Sequence, residues 1–362
     1  MRPKLPPAER LLPYLKAIDS SRTYSNFGPL VSAFEDRLAT RFGVPAAAVA
    51  TVANGTVGLT LALNAAGARP GTLCVMPAWT FVASAHAATM AGMIPYFVDV
   101  DAATWAIDPE AIAGVMTAAP GVVGAVMPVV PFGRPIDIAA WDRFHSRSGV
   151  PVVIDAATAF DALVPGTVPA VISLHATKVF GVGEGGLVIS RDAALIQEVR
   201  HRSNFGFAGT REAATAAANG KLSEYHAAVG LAALDEWTEV RAEWVSVAAA
   251  YREALPESSR LRFQEGFGQS WIASTCVMRV ANGEALRIAN ALGEAGVETR
   301  RWWGDGAHAH RGTAGLPRAP VPVTETLAKS TLALPFYRDL TAREIRRIAE
   351  LTRETIDALV AD

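Results

Sequence analysis

The sequence predicts an α/β protein: a largely parallel central sheet sandwiched by helices, with a smaller C-terminal α+β part. Three observations predict it. Short apolar runs alternate with segments of helical period through the first half of the chain. Those runs are almost continuously apolar, as strands covered on both faces are. After about Ser223 the alternation gives way to a long helical region and then to mixed segments. A length of 362 residues suits about two domains at ~150 residues each, here a large one over 1–240 and a small one over 241–362.

The elements follow in order. Gly28-Pro29 opens a helix with Pro in its first turn, Leu30, Phe34 and Leu38 line one face, and Gly43 ends it. Ala48 to Ala53 reads as a strand, after which Asn54 caps a helix reaching Ala66 and carrying Leu59, Ala62 and Leu63. Strands are expected at Leu73 to Met76, Ile94 to Val98, Gly124 to Val129, Val152 to Ile154, Val171 to Leu174 and Gly186 to Ile189. Helices are expected at Phe81 to Met90 and Ile138 to His145. A helical region spans Ser223 to Leu255, followed by mixed segments at Ala273 to Val280 and Gly283 to Ala295. The last helix starts at a capping box, Thr341 with Glu344, and keeps Ile345, Ile348, Leu351, Ile356 and Leu359 on one stripe.

Composition narrows the function. With 51% hydrophobic residues the chain is not a disordered one. A formal charge of −2 leaves no basic footprint for nucleic acid or an anionic membrane. Cys74 and Cys276 stand far apart and form neither a disulfide framework nor a CxxC zinc pair, so a reducing cytoplasm is the expected setting. The first residues hold no apolar signal core. Two stretches, Pro70 to Val98 and Ala111 to Gly133, lack every Lys, Arg, Asp and Glu and are long enough to raise the question of membrane spans. Pro77, Gly92 and Pro95 in the first, and Pro120, Gly121, Pro128 and Pro131 in the second, cut them into units the size of buried strands and helices.

Four short patterns can carry chemistry. Pro151-Val-Val-Ile-Asp155 puts Asp155 at the carboxyl edge of a parallel sheet, where ligands bind. A capping or turn aspartate would read the same way. Val171-Ile-Ser-Leu-His-Ala-Thr-Lys178 sets a lysine just past an apolar strand, where partial desolvation lowers its pKa and suits it to Schiff-base formation. An ordinary loop lysine is the plainer alternative. The glycines that follow, Gly181, Gly183 and Gly186, match G-x-G-x-x-G. They precede a strand rather than open a helix, so a tight turn fits better than a dinucleotide site. Asn54-Gly-Thr56 joins a strand to a helix whose free amides favour a phosphate. Ala78-Trp-Thr-Phe81 brings aromatics to the sheet edge, where they can cover a flat ring or simply join the core. His308 and His310 share a polar loop without a fixed third ligand, and no metal is expected.

Phosphate turn, aromatic, aspartate and lysine, in that order, are the parts that pyridoxal 5′-phosphate (PLP) requires. The chain resembles the DegT/DnrJ/EryC1/StrS family of sugar aminotransferases over roughly residues 22–359. The resemblance rests on Ser25-Asn-Phe-Gly-Pro29, Asn54-Gly-Thr56, Pro77-Ala-Trp-Thr-Phe-Val-Ala83, Ile154-Asp-Ala-Ala157, Ser173-Leu-His-Ala-Thr-Lys178, Gly183-Glu-Gly-Gly186 and Lys221-Leu-Ser-Glu-Tyr225. It implies a fold type I PLP-transferase. In it Lys178 would form the internal aldimine and shuttle the proton, while Asp155 would pair with the pyridine nitrogen. Phe81 would stack on the ring, and Gly55, Thr56 and Ser173 would hold the phosphate. Asn219 and Lys221 would reach the phosphate of a neighbouring subunit, making a homodimer with shared sites. Tyr24, Trp79, Asn204 and Arg301 would border the substrate. Thr158 stands where the family usually has Gln or His against the ring hydroxyl, and Ile154 where many relatives have Glu. The implied reaction moves an amino group from an amino acid, usually glutamate, to a keto sugar, typically nucleotide-linked and deoxygenated. A keto-inositol, an aminobenzoate precursor or a non-catalytic regulatory role stay open as alternatives.

Overall fold

The computed structural model describes residues 2–359. Two helices come first, α1 (Ala8–Ser21) and α2 (Pro29–Phe42). The alternating part then runs β1 (Val49–Val52), α3 (Gly55–Ala65), β2 (Leu73–Pro77), α4 (Ala83–Met90), β3 (Ile94–Val98), α5 (Pro109–Ala118), β4 (Val123–Val126), α6 (Ile138–Ser148), β5 (Ile154–Asp155), β6 (Ala170–Ser173) and β7 (Gly186–Ile189). These strands form a sheet of order β1-β7-β6-β5 and one of order β3-β2-β4. Parallel bridges from Val126 to Val152 and from Val129 to Asp155 join the two edge to edge. The two charge-free stretches are thereby explained: one is β2, α4 and β3, the other α5 and β4. Strand β2 is wholly buried and α4 packs on it through Ala85, Ala87 and Ala88. Among the described residues no helix is long and apolar enough to cross a membrane.

One strand departs from the parallel arrangement. β7 runs antiparallel to both β1 and β6, because the chain between β6 and β7 contains no helix to carry a crossover. It folds back as a hairpin instead, closed by Leu174 N to Gly185 O (2.9 Å), Val182 N to Leu174 O (2.8 Å) and Ala176 N to Gly183 O (2.8 Å). Lys178 sits at its tip.

After β7 come α7 (Ala193–Ser203), α8 (Glu224–Asp235) and α9 (Trp237–Ala254). The single helical region expected from Ser223 to Leu255 is therefore two helices, broken at Glu236. Trp237 turns inward, its ring 5.0 Å from that of Phe160 and 5.7 Å from that of Phe180. Asp235 is held at the surface by Arg37 and Tyr14, both at 2.7 Å. Residue 240 lies inside α9. The last part holds β8 (Leu261–Phe263), β9 (Cys276–Val280), α10 (Ala285–Glu294), α11 (Pro322–Ser330), β10 (Thr331–Leu334) and α12 (Ala342–Leu359), with an antiparallel sheet of order β10-β9-β8. The capping box forms as read: Thr341 N donates to Glu344 Oε2 (2.8 Å) and Glu344 N to Thr341 Oγ1 (3.2 Å). Asp99, just past β3, caps α11 by accepting from the amides of Val323 (2.7 Å) and Thr324 (2.8 Å).

Candidate active site

At the carboxyl edge of β1, β5 and β6 the fold gathers four of the sequence-marked groups. Asn54 caps α3 by accepting from Val57 N (2.9 Å), which leaves the helix's first amides, those of Gly55 and Thr56, without an intrahelical acceptor. Ser173, ending β6, faces this terminus: a Cβ built on Gly55 would lie 3.2 Å from Ser173 Cβ. A side chain at 55 would close the space. The result is a cradle of amides and one hydroxyl beside a positive helix end, which fits a phosphate.

Asp155 ends β5 and is 5% exposed. Its Oδ2 accepts from Ser84 Oγ (2.6 Å) and its Oδ1 from Ala157 N (3.1 Å). Burial pushes its pKa up, against the pull of these two donors and of Lys178. Lys178 makes no side-chain hydrogen bond and is pushed the other way: burial lowers its pKa, with Asp155 resisting. Phe81 stands just ahead of α4 and is 55% exposed, in contrast to the fully buried Thr80 before it. An apolar ring left open at a sheet edge is suited to cover a flat ligand. Cradle, carboxylate, amine and open ring together match the phosphate, pyridine nitrogen, aldehyde and ring face of PLP.

The other expected site residues divide. Asn204 and Lys221 meet, Nζ to Oδ1 at 2.9 Å, and the ammonium sits 4.4 Å from the centroid of the Phe205 ring. Asn219 bridges to Asn204, and its neighbour Gly220 accepts from Ala53 N (2.7 Å), which anchors this segment alongside the start of α3. Tyr24 is exposed and stacked on Tyr225, with ring centroids 6.3 Å apart. Trp79 is fully buried, edge-on to Trp303 (5.3 Å) and Phe132 (6.2 Å), so in this chain it is a core side chain. Arg301 is tied down by Asp305 (2.8 Å) and Ala328 O (2.9 Å). The Nε1 of Trp79 and the Nε of Arg301 are buried without a partner. Thr158 turns its hydroxyl to Val130 O (3.4 Å). His308 is buried against Phe97. A cavity of about 470 Å³ opens among β10, α12 and the 296–302 segment, but none of these site residues lines it. A much smaller cavity, about 30 Å³, is lined by Ala176, Thr177, Lys178 and Gly181.

Sequence reasoning missed Ser84 and Thr80, whose hydroxyls lie 2.8 Å apart behind Asp155. Their signal was present: two hydroxyl residues four apart in an otherwise apolar run, one on each side of Phe81. It also left Glu224 of the Lys221–Tyr225 motif unassigned. That carboxylate, 1% exposed, caps α2 by accepting from Leu30 N and Val31 N, both at 2.8 Å.

Comparison with known proteins identifies the family. The chain matches the DegT/DnrJ/EryC1/StrS aminotransferase family over residues 8–353. Protein Rv3402c of Mycobacterium tuberculosis is 30% identical over 373 residues, covering 98% of this chain and 89% of that protein. The dTDP-4-amino-4,6-dideoxy-D-glucose transaminase of Shigella dysenteriae is 32% identical over 263 residues, 71% of this chain and 70% of its own. The crystal structure of DesI in the presence of its TDP-sugar product superposes with a TM-score of 0.87 at 31% identity, covering 98% of this chain and 92% of that one. The chain belongs to the DegT/DnrJ/EryC1/StrS family and is a PLP-dependent aminotransferase.

Proposed function

We propose that this aminotransferase moves an amino group from glutamate to a nucleotide-linked keto sugar, with Lys178 as the residue that binds the cofactor. The observation that carries the reading is the juxtaposition of a desolvated lysine and a buried carboxylate at one sheet edge with the Gly55–Ser173 cradle. PLP, when bound, supplies an aldehyde for amines and an electron sink for the bond that loses its proton. The chain's own residues do the rest. Gly55, Thr56 and Ser173 fix the phosphate, Asp155 keeps a proton on the pyridine nitrogen, and Phe81 covers the ring and excludes water. Lys178, its pKa lowered by burial, takes a proton from the substrate carbon at Nζ and returns it as general acid. A sugar substrate is supported by the Shigella transaminase and by DesI.

We further propose a homodimer. Tyr24, Phe81, Phe205 and Tyr225 are each about half exposed, an apolar allotment around the site that suits coverage by a second copy. Asn219 and Lys221 of one copy would then complete the other's cradle. The division into a PLP-binding domain over 1–240 and a small domain over 241–362 belongs to the same proposal.

Borohydride reduction of PLP-loaded protein followed by peptide mapping tests the lysine. A label on the peptide bearing Lys178 is expected, and a label elsewhere sinks the assignment. Amino transfer from glutamate to a panel of nucleotide-linked keto sugars tests the substrate, with no transfer to any of them as the contrary result.

A further inference from the structure

We infer that Ser84 and Thr80 form a two-hydroxyl relay that positions Asp155 and keeps its charge, and so decides on which atom the proton shared with the cofactor's ring nitrogen rests. The inference rests on the PLP reading above. Both side chains are fully buried. An ionised carboxylate only accepts, so at 2.6 Å the Ser84 hydroxyl hydrogen must point to Asp155 Oδ2. The 2.8 Å contact between Ser84 Oγ and Thr80 Oγ1 can then be a hydrogen bond only if Thr80 donates. Direction is thus set along the chain, Thr80 to Ser84 to Asp155, with the Phe81 carbonyl a second and longer acceptor of the Thr80 hydroxyl at 3.4 Å, and each bond polarises the next.

The chemistry that follows is a choice between two placements of one proton. Burial alone favours a neutral carboxyl on Asp155, with the proton on oxygen and the ring nitrogen bare. The relay, with the Ala157 amide on the other oxygen, stabilises the carboxylate and moves the proton to nitrogen, where the ring withdraws electrons best. The same two residues bracket Phe81: Ser84 N also bonds back to Phe81 O (3.2 Å). One short turn therefore holds the Asp155 carboxylate and the Phe81 backbone together, the two residues that would meet the ring of a bound cofactor. Ser84 and Thr80 are fully buried behind Asp155 and act as positioning residues through it.

The test uses full-length protein loaded with PLP labelled with ¹⁵N in the ring, read by the nitrogen chemical shift and by the PLP dissociation constant. In the parent the nitrogen should be protonated. Ser84→Ala should move its shift toward the unprotonated position and raise the dissociation constant about ten-fold or more, the size of a lost hydrogen bond to a charged group. Ser84→Thr, which keeps the hydroxyl, should restore both. Thr80→Val, should Ser84→Ala not fold, is expected to move the shift the same way by less. A Ser84→Ala protein, or failing it a Thr80→Val protein, with parental nitrogen shift and parental affinity overturns the inference. A parent protein that takes up no PLP overturns instead the cofactor reading on which it stands.

Discussion

Lys178 and Asp155 are displaced from their ordinary protonation by one cause acting in opposite senses. Desolvation disfavours both charges, so it lowers the lysine's pKa and raises the aspartate's, while their mutual attraction works against it. In the apoprotein the stabilisation tied to neutral Lys178 is present above the ordinary lysine value and is lost as pH falls through the lowered one. For Asp155 it is present below the ordinary aspartate value and is lost as pH rises through the raised one. Between those limits both groups strain toward neutrality, which readies the amine to attack an aldehyde. The rate of PLP uptake by apoprotein should therefore climb with pH and level off at a midpoint below that of a free lysine side chain. Stopped-flow mixing across pH measures it, and a midpoint at the ordinary lysine value near 10.5 would contradict the desolvation argument. Gly55 makes a second residue-scale case. Gly55→Ala sets a methyl group against Ser173 in the cradle, so PLP affinity should fall by about ten-fold or more, the loss of charge-assisted contacts to phosphate. The urea midpoint of the apoprotein should change little. Equal PLP affinity in a binding titration would remove the cradle from the account.

At the level of elements, what could be read in advance were the features decided by near neighbours. The Asn54 cap, the Thr341–Glu344 box and the apolar stripe of the last helix each depend on residues within a turn or two, and all three stand in the structure. The order of aspartate and lysine along the chain was likewise enough to place both at one sheet edge. Features decided by distant partners were not readable. The break at Glu236 answers Phe160 and Arg37, and the antiparallel run of β7 follows from a connection whose lack of a helix shows only when its residues are placed. Ser84 matters because Asp155 arrives from 71 positions away. Glu224 is the clearest example: its role is the N-terminus of α2, a helix nearly two hundred positions earlier. Glu224→Gln keeps the shape but removes the charge and turns an amide toward one of two N–H donors. It should cost about 1–3 kcal/mol in urea unfolding, and an unchanged midpoint would mean that α2 is capped by other means.

For the molecule as a whole, Asp161 is one tie between its parts. Its side chain, 3% exposed, takes Arg241 Nε of α9 at 2.6 Å and Ile272 N ahead of β9 at 3.1 Å, with Arg41 of α2 at 4.0 Å. The Arg41 guanidinium in turn lies 4.6 Å from the Phe160 centroid and 4.7 Å from that of Trp237. Asp161→Ala would remove the bidentate partner of Arg241 and leave the Ile272 amide unmet, while Arg41 keeps the Phe160 and Asp161 carbonyls, a loss of about 1–3 kcal/mol. Calorimetry should show a lower transition temperature, and two resolved transitions if the C-terminal sheet loses its coupling to the rest. A thermogram indistinguishable from the parent's would assign the tie to the surrounding rings alone. The antiparallel β7 has a consequence of another kind, one of timing. Among the described residues β1 pairs only with β7, Val49 opposite Ile189, 140 positions later. On the ribosome, β1 and the α3 amides that follow it emerge early and must wait, unpaired, until the strand after the lysine hairpin has been made. The phosphate cradle is thus begun early in synthesis and can close only once about half of the 362 residues have been made.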